Sequence, residues 1–501
     1  MGEVLPGRQA ARRHGTGERI LIFSRRKSRI AAAATLLGCC LVAGCTVGPD
    51  YERPDVDAPE KYRFLDTEAN ELANTQWWQQ FQDPVLDELI RVALSDNFDV
   101  RIAAARVEEL YGNYGVARSG KFPQVGAEAA VGTARTPPDA AVDTVRIDAF
   151  ASWEIDLFGR LRRLTEASRA DLLASEEGRR FAVLTLVSAV ASTYITLLGV
   201  DAQLDIARRT LVSREKAMNI FIARNRRGAT SEFELSQSRS EYAVTKATIP
   251  PLEQAQVQIE NTLAVLLGRN PGPIPRTRKI GELGLPEVPA GLPSEILERR
   301  PDIKQAEFNL IAANARIGAA KAQYYPSISL TGLYGTLSTS FDNLFKKPFE
   351  LYSYGAGAVA PIFTGGAIAG QVRASEARQQ QSLLNYQRAI RTAFADVENA
   401  LIASVKTREA LAAQLERVEA MREYARLANL RYDNGYSGYI EVLDAERGLF
   451  AAELDYTVAK GNTYFALVDI YKSMGGGWVI DAAAVSTQPR VDLTQEPKVF
   501  P

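Results

Sequence analysis

The chain has 501 residues, 46% of them hydrophobic and 24% charged, with a net charge of −1. Its only histidine, His14, and two of its three cysteines, Cys39 and Cys40, lie within the first 44 residues. If these residues are removed on maturation, histidine or thiol catalysis, disulfides, and zinc sites built from histidine or cysteine are excluded. We therefore expect no metal, no cofactor and no enzymatic activity, and the lack of a basic tract argues against a nucleic acid partner.

The first 44 residues have the pattern of a secretory signal peptide. Basic residues cluster over 25–29, and an apolar run of 13 residues follows over 30–42, which is too short to span a bilayer comfortably. The run ends in small residues directly before Cys45, which is the pattern of a lipoprotein cleavage site. We predict a lipoprotein signal peptide over 1–44 and lipid attachment at Cys45. The alternative is an incidental cysteine in an apolar stretch.

Cleavage before Cys45 changes both the charge and the destination of the chain. It removes eight of the 59 basic and two of the 60 acidic residues, which leaves 51 and 58 and a net charge of about −7. Thr46 stands where an aspartate usually retains a bacterial lipoprotein in the inner membrane. Delivery to the outer membrane is therefore permitted.

The mature chain contains an internal duplication. Matching residues recur first 203 and then 207 positions apart, and glycines and a proline are among them. The pairs include Asp99 and Asp302, Gly115 and Gly318, Pro123 and Pro326, Arg224 and Arg431, Gly228 and Gly435, and Gly268 and Gly475. Such a period is far longer than that of a solenoid repeat. We predict an extended segment and a first structural repeat over 45–285, a second repeat over 286–478, and a polar C-terminal tail over 479–501.

Each repeat is predicted to contain three long helices. They cover 97–121, 160–227 and 231–267 in the first repeat, and 301–322, 366–432 and 439–474 in the second. The stretch 160–227 has no proline, and at 1.5 Å per residue it would be about 100 Å long. The lengths of the two shorter helices of each repeat sum to about the length of the long helix. We therefore expect the two shorter helices to stack end to end beside it. Six such columns from three chains could close a tube.

Two strands are predicted between the helices of each repeat, over 124–133, 145–157, 327–338 and 350–361. Apolar and polar residues alternate along 145–157, which is the signature of a transmembrane β-barrel strand. The four strands of one chain cannot close a barrel, and an open sheet edge is not tolerated in lipid. Three copies of the chain would supply twelve strands. The alternative is a four-stranded sheet of a soluble protein.

One segment argues for a different membrane topology. Residues 181–200 contain no charge, which meets the length rule for a membrane-spanning helix. However, hydroxyl side chains are spread through the segment, and its counterpart in the second repeat, 388–407, carries five charges. We therefore predict a helix buried in a protein wall, with a bilayer span as the alternative.

Seven short motifs identify a family by their order and spacing. They are CTVGPDY at 45–51, WW at 77–78, FQDP at 81–84, WEIDLFGR at 153–160, RRPDI at 299–303, YPSISL at 325–330 and GGGW at 475–478. Together they resemble the NodT-type outer membrane efflux lipoproteins, relatives of OprM and TolC, over about 45–478. The resemblance implies an α+β fold in which a homotrimer forms a 12-stranded β-barrel in the outer membrane, four strands per chain. This barrel continues into a long α-helical barrel in the periplasm.

The resemblance also implies the function and the partners. Such a trimer is a lipid-anchored exit duct that carries small molecules such as drugs out of the cell. Its partners are a periplasmic adaptor (membrane fusion) protein, an inner-membrane pump of the resistance-nodulation-division class and the lipid of the outer membrane. The alternatives are a duct for protein secretion, a lipid-anchored periplasmic coiled-coil tether without a channel and, more remotely, a hydrolase that uses carboxylates alone.

By the same resemblance, the turn after the second long helix is the periplasmic gate. Ile440 matches an apolar plug and Asp444 an acidic ring, while Arg431 and Tyr432 match residues that tie neighbouring helices in the closed state. Glu441 matches an acid in some relatives. Ile440 and Asp444 are four residues apart and so share one helix face. The alternative is that Glu441 and Asp444 merely complement a helix N-terminus.

Overall fold

The computed structural model describes residues 46–55, 76–135, 137–138, 140–285 and 293–497. The predicted signal peptide and lipid site, Cys45, lie outside these residues. The described part of the chain is rich in helix and contains one small sheet. Its helices are α1 (Pro84–Asp96), α2 (Phe98–Ser119), α3 (Arg160–Arg226), α4 (Glu232–Leu266), α5 (Pro293–Arg299), α6 (Pro301–Ala322), α7 (Ala367–Asp433), α8 (Tyr439–Met474) and α9 (Trp478–Val485). Its strands are β1 (Gln124–Ala134), β2 (Val142–Ile155), β3 (Ser327–Ser338) and β4 (Glu350–Val359).

The bounds of these long helices and strands differ from the predicted ones by three residues or fewer. The largest difference is at the start of β2, which begins at Val142 instead of 145. β2 ends at Ile155 instead of 157 because Asp156 leaves the sheet to cap the next helix. The Asp156 carboxylate accepts hydrogen bonds from the backbone N–H groups of Leu161 (3.1 Å) and Arg162 (2.8 Å) at the start of α3. β4 ends two residues before Pro361, which cannot donate to a strand ladder.

The chain divides into two compact units. One contains Arg118–Leu164 and Arg316–Arg373 with residues 46–49, and it holds the four strands. They form one antiparallel sheet in the order β1-β2-β3-β4. β1 and β4 are therefore the edges of this sheet, and they are 11 and 10 residues long. Large apolar side chains along them are exposed, including Val125, Val131, Tyr354 and Val359.

The second unit is helical, and its main core is built around aromatic residues. Trp77 stacks on Tyr471 with ring centroids 5.3 Å apart, and Trp478 meets Trp77 and Trp78 edge-on at 6.0 and 5.6 Å. This packing corrects one prediction. The segment predicted as a polar tail from residue 479 begins instead as α9, whose Val479, Ala482 and Ala483 are buried, since Trp478 anchors the helix in the core.

The remainder of the C-terminal segment follows helix α2. The backbone N–H of Arg490 donates to Glu108 (2.6 Å), and Pro497 lies against Gly115. The N-terminal extended segment is described only over 46–55, where there is neither helix nor strand. There, Arg53 forms an ion pair with Glu307 (2.9 Å) at the side of α6.

The apolar segment 181–200 lies in α3. Among the described residues, α3 alone is long and apolar enough to cross a bilayer, but 61% of its most apolar window is buried inside the chain. Val183, Val187, Val190 and Tyr194 are all fully or almost fully buried in the aromatic core. This burial favours the predicted protein wall over a bilayer span.

Asp83 joins three elements of this core, and its removal should destabilise the helical unit. It caps α1 through the backbone N–H of Val85 (2.9 Å) and accepts hydrogen bonds from the hydroxyls of Tyr194 (2.8 Å) and Thr277 (3.3 Å). Asp83→Ala removes the cap and leaves a buried hydroxyl unpaired, which costs about 2–4 kcal/mol. We expect a clear fall in the unfolding midpoint measured by far-UV circular dichroism.

Glu88→Ala is the matched control for Asp83→Ala. Glu88 lies on the same helix, α1, but its ion pair with Arg91 (2.5 Å) is exposed to solvent. Such a pair contributes little to stability, because solvent and salt screen it. Equal midpoints for the two variants would contradict the role assigned to Asp83.

Candidate functional site at the helix tips

The two long helices end in the same turn, once in each repeat. Gly228 after α3 and Gly435 after α7 have φ of +71° and +76°, a conformation that favours glycine. In the first turn the N–H of Ala229 donates to the carbonyl of Arg224 (2.9 Å), and in the second the N–H of Tyr436 donates to that of Arg431 (2.8 Å). These bonds close a Schellman-type helix end. Arg224 and Arg431 are therefore structural equivalents.

A small aromatic core joins the two tips. Phe221 from α3 packs on Tyr439 of α8 with ring centroids 4.2 Å apart, and Tyr432 of α7 lies 5.5 Å from Tyr439. Tyr439 is buried, and this burial raises its pKa to about 12. The guanidinium of Arg224 donates a hydrogen bond to the Tyr432 hydroxyl (3.2 Å). Tyr432, a predicted tie between helices, thus connects the first repeat to the second.

Arg431, the other predicted tie, faces Glu441 across the turn. The guanidinium and the carboxylate are 3.4 Å apart, and both side chains are about half exposed. An exposed pair of this kind contributes about 1 kcal/mol or less, so it can break at little cost. Ile440, next to Glu441, is 54% exposed and is not packed into the aromatic core.

Asp444 lies one helical turn beyond Ile440 and has a different partner. It is exposed, and its carboxylate accepts a hydrogen bond from the Tyr424 hydroxyl on α7 (3.2 Å). Partial burial, and then this bond, raise the pKa of Tyr424 above its usual value. In the structure, Arg431 therefore contacts Glu441, and Tyr432 contacts the first repeat. Asp444 takes part in neither contact and has a different partner.

The equivalent of Glu441 in the first repeat shows how the two tips differ. Glu234 completes a capping box with Ser231, and hydrogen bonds from Thr230 and from the Ser231 backbone hold the pKa of Glu234 below its usual range. Helix α8 begins instead at Gly438, which offers no side-chain cap. Glu234 is thus a helix cap, whereas the Glu441 carboxylate is directed to Arg431.

A buried ion pair that was not predicted from the sequence lies behind the first tip. Arg214 of α3 and Glu241 of α4 are almost fully buried and 2.9 Å apart, and Arg214 also donates to the Thr245 hydroxyl (2.6 Å). Burial lowers the pKa of Arg214. Glu241 accepts a further bond from Arg447 of α8 (2.6 Å). Thus α3, α4 and α8 are held together by charge-assisted hydrogen bonds.

The spacing of these two residues along the sequence could have predicted their contact. Arg214 and Glu241 are nearly equidistant from Gly228, so an antiparallel helix pair that turns there brings them face to face. The equivalent positions of the second repeat are Met421 and Gly448, which also face each other: a Cβ on Gly448 would lie 2.9 Å from the Met421 sulfur. The second repeat therefore has an apolar contact where the first has a buried charge pair.

The described residues contain no group of three or more histidine, cysteine, aspartate or glutamate side chains placed to hold a metal ion. The arrangement at the tips is one of aromatic packing, ion pairs and hydrogen bonds. Nothing among these contacts is arranged for bond-making chemistry; the contacts tie helices to each other.

Comparisons with known proteins identify the family. The family model described as outer membrane efflux protein matches residues 89–269 and 292–476, one range in each predicted repeat. The chain is 33% identical over 481 residues to the probable efflux pump outer membrane protein TtgC of Pseudomonas putida, covering 93% of this chain and 99% of that protein. It is 34% identical to the probable outer membrane lipoprotein SilC of Salmonella typhimurium, covering 88% and 97% of the two chains.

The fold is also found in solved structures. The open state of the Neisseria gonorrhoeae MtrE outer membrane channel superposes with a TM-score of 0.80 at 32% identity, covering 87% of this chain and 99% of that one. The outer membrane is therefore the location of this chain. With a family model matched in both repeats and relatives similar over nearly their whole length, the chain belongs to the outer membrane efflux protein family.

Proposed function

We propose that three copies of this chain form the exit duct of a tripartite efflux system that carries small molecules to the cell exterior. The observation that carries this proposal is the open four-stranded sheet with its two long, apolar edges. An edge exposes unpaired N–H and C=O groups, which cannot be left without partners in lipid. If β1 of one copy pairs with β4 of the next, three copies give a closed barrel of twelve strands.

The helices fit the same assembly. Helices α3 and α7 have 67 residues each, which corresponds to about 100 Å. Helices α2 and α4 have 22 and 35 residues, so placed end to end they nearly reach the length of α3. In the same way α6 and α8, with 22 and 36 residues, nearly reach the length of α7. Each repeat thus supplies one column, a long helix with two shorter helices stacked end to end beside it, and the six columns of three chains are enough to form a tube across the periplasm.

The partners and the cargo follow from the family. A duct in the outer membrane needs a pump in the inner membrane and a periplasmic adaptor between them, and we propose a pump of the resistance-nodulation-division class. Relatives at 32–34% identity are named for the efflux of toluene, antibiotics, solvents or cations. Because similar chains serve such different cargoes, we assign the choice of substrate to the pump.

The helix tips form the gate in this proposal. The Tyr432–Arg224 contact acts as a latch that holds the α7–α8 pair against α3, and the Arg431–Glu441 pair fixes the turn between α7 and α8 in its closed form. Ile440 supplies an apolar plug, and three Asp444 carboxylates form a ring, with Glu441 beside them. A ring of acids in a pore favours cations. The 54% exposure of Ile440 within its own chain supports a position facing the pore.

Ion conductance across a planar bilayer tests the channel function. Purified protein should give discrete conductance steps, whereas a coiled-coil tether would give none. Deletion of the gene should raise intracellular accumulation of a fluorescent efflux dye. If the deletion instead blocked secretion of a protein and left dye accumulation unchanged, the protein-secretion alternative would replace small-molecule efflux.

The latch predicts an effect of Tyr432→Phe on the closed state. This change removes the hydrogen bond from Arg224 and keeps the ring in the aromatic core, so the closed-state conductance should rise while stability changes little. Arg431→Ala should act in the same direction by removing the pair with Glu441. The matched control is Tyr436→Phe, at a residue of the same turn that is 79% exposed. A wild-type conductance in both variants would exclude these contacts from the gate.

The acidic ring predicts an effect of Asp444→Asn on block by multivalent cations added at the periplasmic side. Block should weaken, because three charges are removed from the pore at once. Glu441→Gln should weaken it less, since Arg431 already neutralises that carboxylate. Glu409→Gln, in an exposed pair with Lys406 well away from the tip, is the control. If Asp444→Asn left block unchanged but lowered stability, Asp444 would only complement the helix terminus.

Lipidation is predicted at Cys45. Cys45→Ser should abolish palmitate labelling and leave the precursor uncleaved by lipoprotein signal peptidase. Cys40→Ser, which changes a cysteine inside the apolar run, should be labelled like wild type. Mass spectrometry that found an unmodified N-terminus at another residue of the wild-type protein would show that the assignment is wrong.

A further inference from the structure

A cavity of about 570 Å³ lies within the helical unit, in contact with α3, α7 and α8. Its fourth side is formed by residues 276–279, which we call the strap. This volume lies within the range of small-molecule binding sites. The cavity is separate from the helix tips, and no part of the gate proposal uses it.

The strap is held at both ends, so the cavity is preformed. At one end the guanidinium of Arg276 binds Asp201 of α3 (2.7 Å) and Glu260 of α4 (2.5 Å). Directly after the other end, the hydroxyl of Tyr464 on α8 lies within hydrogen-bond distance of the carbonyls of Ile280 (3.2 Å) and Leu283 (3.0 Å), which share its one hydrogen. A site whose walls are already fixed loses little conformational entropy when a ligand enters.

The floor of the cavity is apolar. Leu198 and Ile206 of α3 and Val418 of α7 line it and are 2%, 8% and 5% exposed. Leu415, also a lining residue, remains 43% exposed, so apolar surface continues from the floor toward solvent. An alkyl chain would bury this surface, which is favourable in proportion to the apolar area removed from water.

The rim carries more positive than negative charge. The charged residues of the lining, which we call the rim, are five cations, Arg209, Arg276, Arg278, Lys279 and Arg422, and three carboxylates, Asp201, Asp205 and Glu453. Arg209 and Lys279 share Asp205, at 3.5 and 4.0 Å. Arg278 donates to the main-chain carbonyl of Glu282 (3.0 Å), and Arg422 pairs with Glu453 (3.2 Å). Five cations therefore line the cavity with three carboxylates, and this positive excess favours an anionic ligand group at the rim.

We infer that this cavity binds an amphiphilic monoanion of the fatty-acid type, with the alkyl chain on the apolar floor and the acid group between Arg278 and Lys279. Both parts of the ligand are required. A neutral amphiphile would leave the surplus positive charge at the rim unpaired. A small anion would leave the floor uncovered. The site does not depend on whether the trimer conducts.

Photolabelling of the full-length protein in nanodiscs of zwitterionic lipid tests this site. The probe is a fatty acid with a diazirine on its alkyl chain. Labelling should saturate and map to peptides that contain 198–209, 415–422 or 453–457. Laurate should compete about tenfold better than dodecanol, because only laurate forms charge-assisted hydrogen bonds at the rim. Dodecylammonium should not compete.

Two variants separate the head-group contacts from the floor. The double change Arg278→Gln with Lys279→Gln should weaken competition by laurate about tenfold and leave dodecanol unaffected. Leu415→Gln, at a partly exposed position that tolerates a polar group, should weaken laurate and dodecanol alike. The control is Arg239→Gln with Lys246→Gln, at two exposed positions of α4, which should match wild type.

Three results would overturn the inference. The first is labelling that does not saturate or that maps to peptides of the β-sheet. The second is equal competition by laurate, dodecanol and dodecylammonium. The third is unchanged laurate competition in the rim double variant of a protein that keeps its wild-type unfolding midpoint.

Discussion

The backbone N–H and C=O groups along the outer sides of β1 and β4 need hydrogen-bond partners. In water they could bind solvent, but in the hydrocarbon of a membrane an unpaired group costs several kcal/mol. The edges are 11 and 10 residues long and expose valine and tyrosine instead of the lysine and proline that usually protect an edge. In the proposed membrane barrel, a single copy therefore could not satisfy its own sheet. The proposed assembly, tunnel and gate all follow from the need for further copies.

The duplicated chain has two tips with unequal ties. In the first repeat, the buried Arg214–Glu241 pair joins α3 to α4, and the Ser231 capping box closes the start of α4. In the second, Met421 faces Gly448 where the charge pair would be, and α8 begins without a side-chain cap. A charge-assisted hydrogen-bonded pair specifies the geometry in which two helices meet, whereas an apolar contact is not directional. This difference gives a physical reason for the α7–α8 pair to move in the proposed gate while α3 and α4 stay in place, and the bond from Arg447 to Glu241, which joins α8 to α4, would break on opening.

Much of the fold could be predicted because it depends on local signals. Long runs without proline predicted α3 and α7, and glycines 207 residues apart, Gly228 and Gly435, marked both turns. What was not predicted depends on distant partners. The apolar start of the final segment became α9 because Trp478 meets Trp77, about 400 residues earlier in the chain. At the tips, the predicted residues Arg431 and Glu441 form a pair, but the partner of Tyr432 is Arg224, in the other repeat.

The mass of the detergent-solubilised particle, corrected for bound detergent, tests the central claim most directly. If the sheet edges close on further copies, the protein mass equals that of three mature chains, and no folded monomer is present at low concentration. Native mass spectrometry or light scattering can measure it. A monodisperse monomer that retains the sheet in a bilayer and conducts ions would contradict the account, because the edges of β1 and β4 would then be satisfied without other copies.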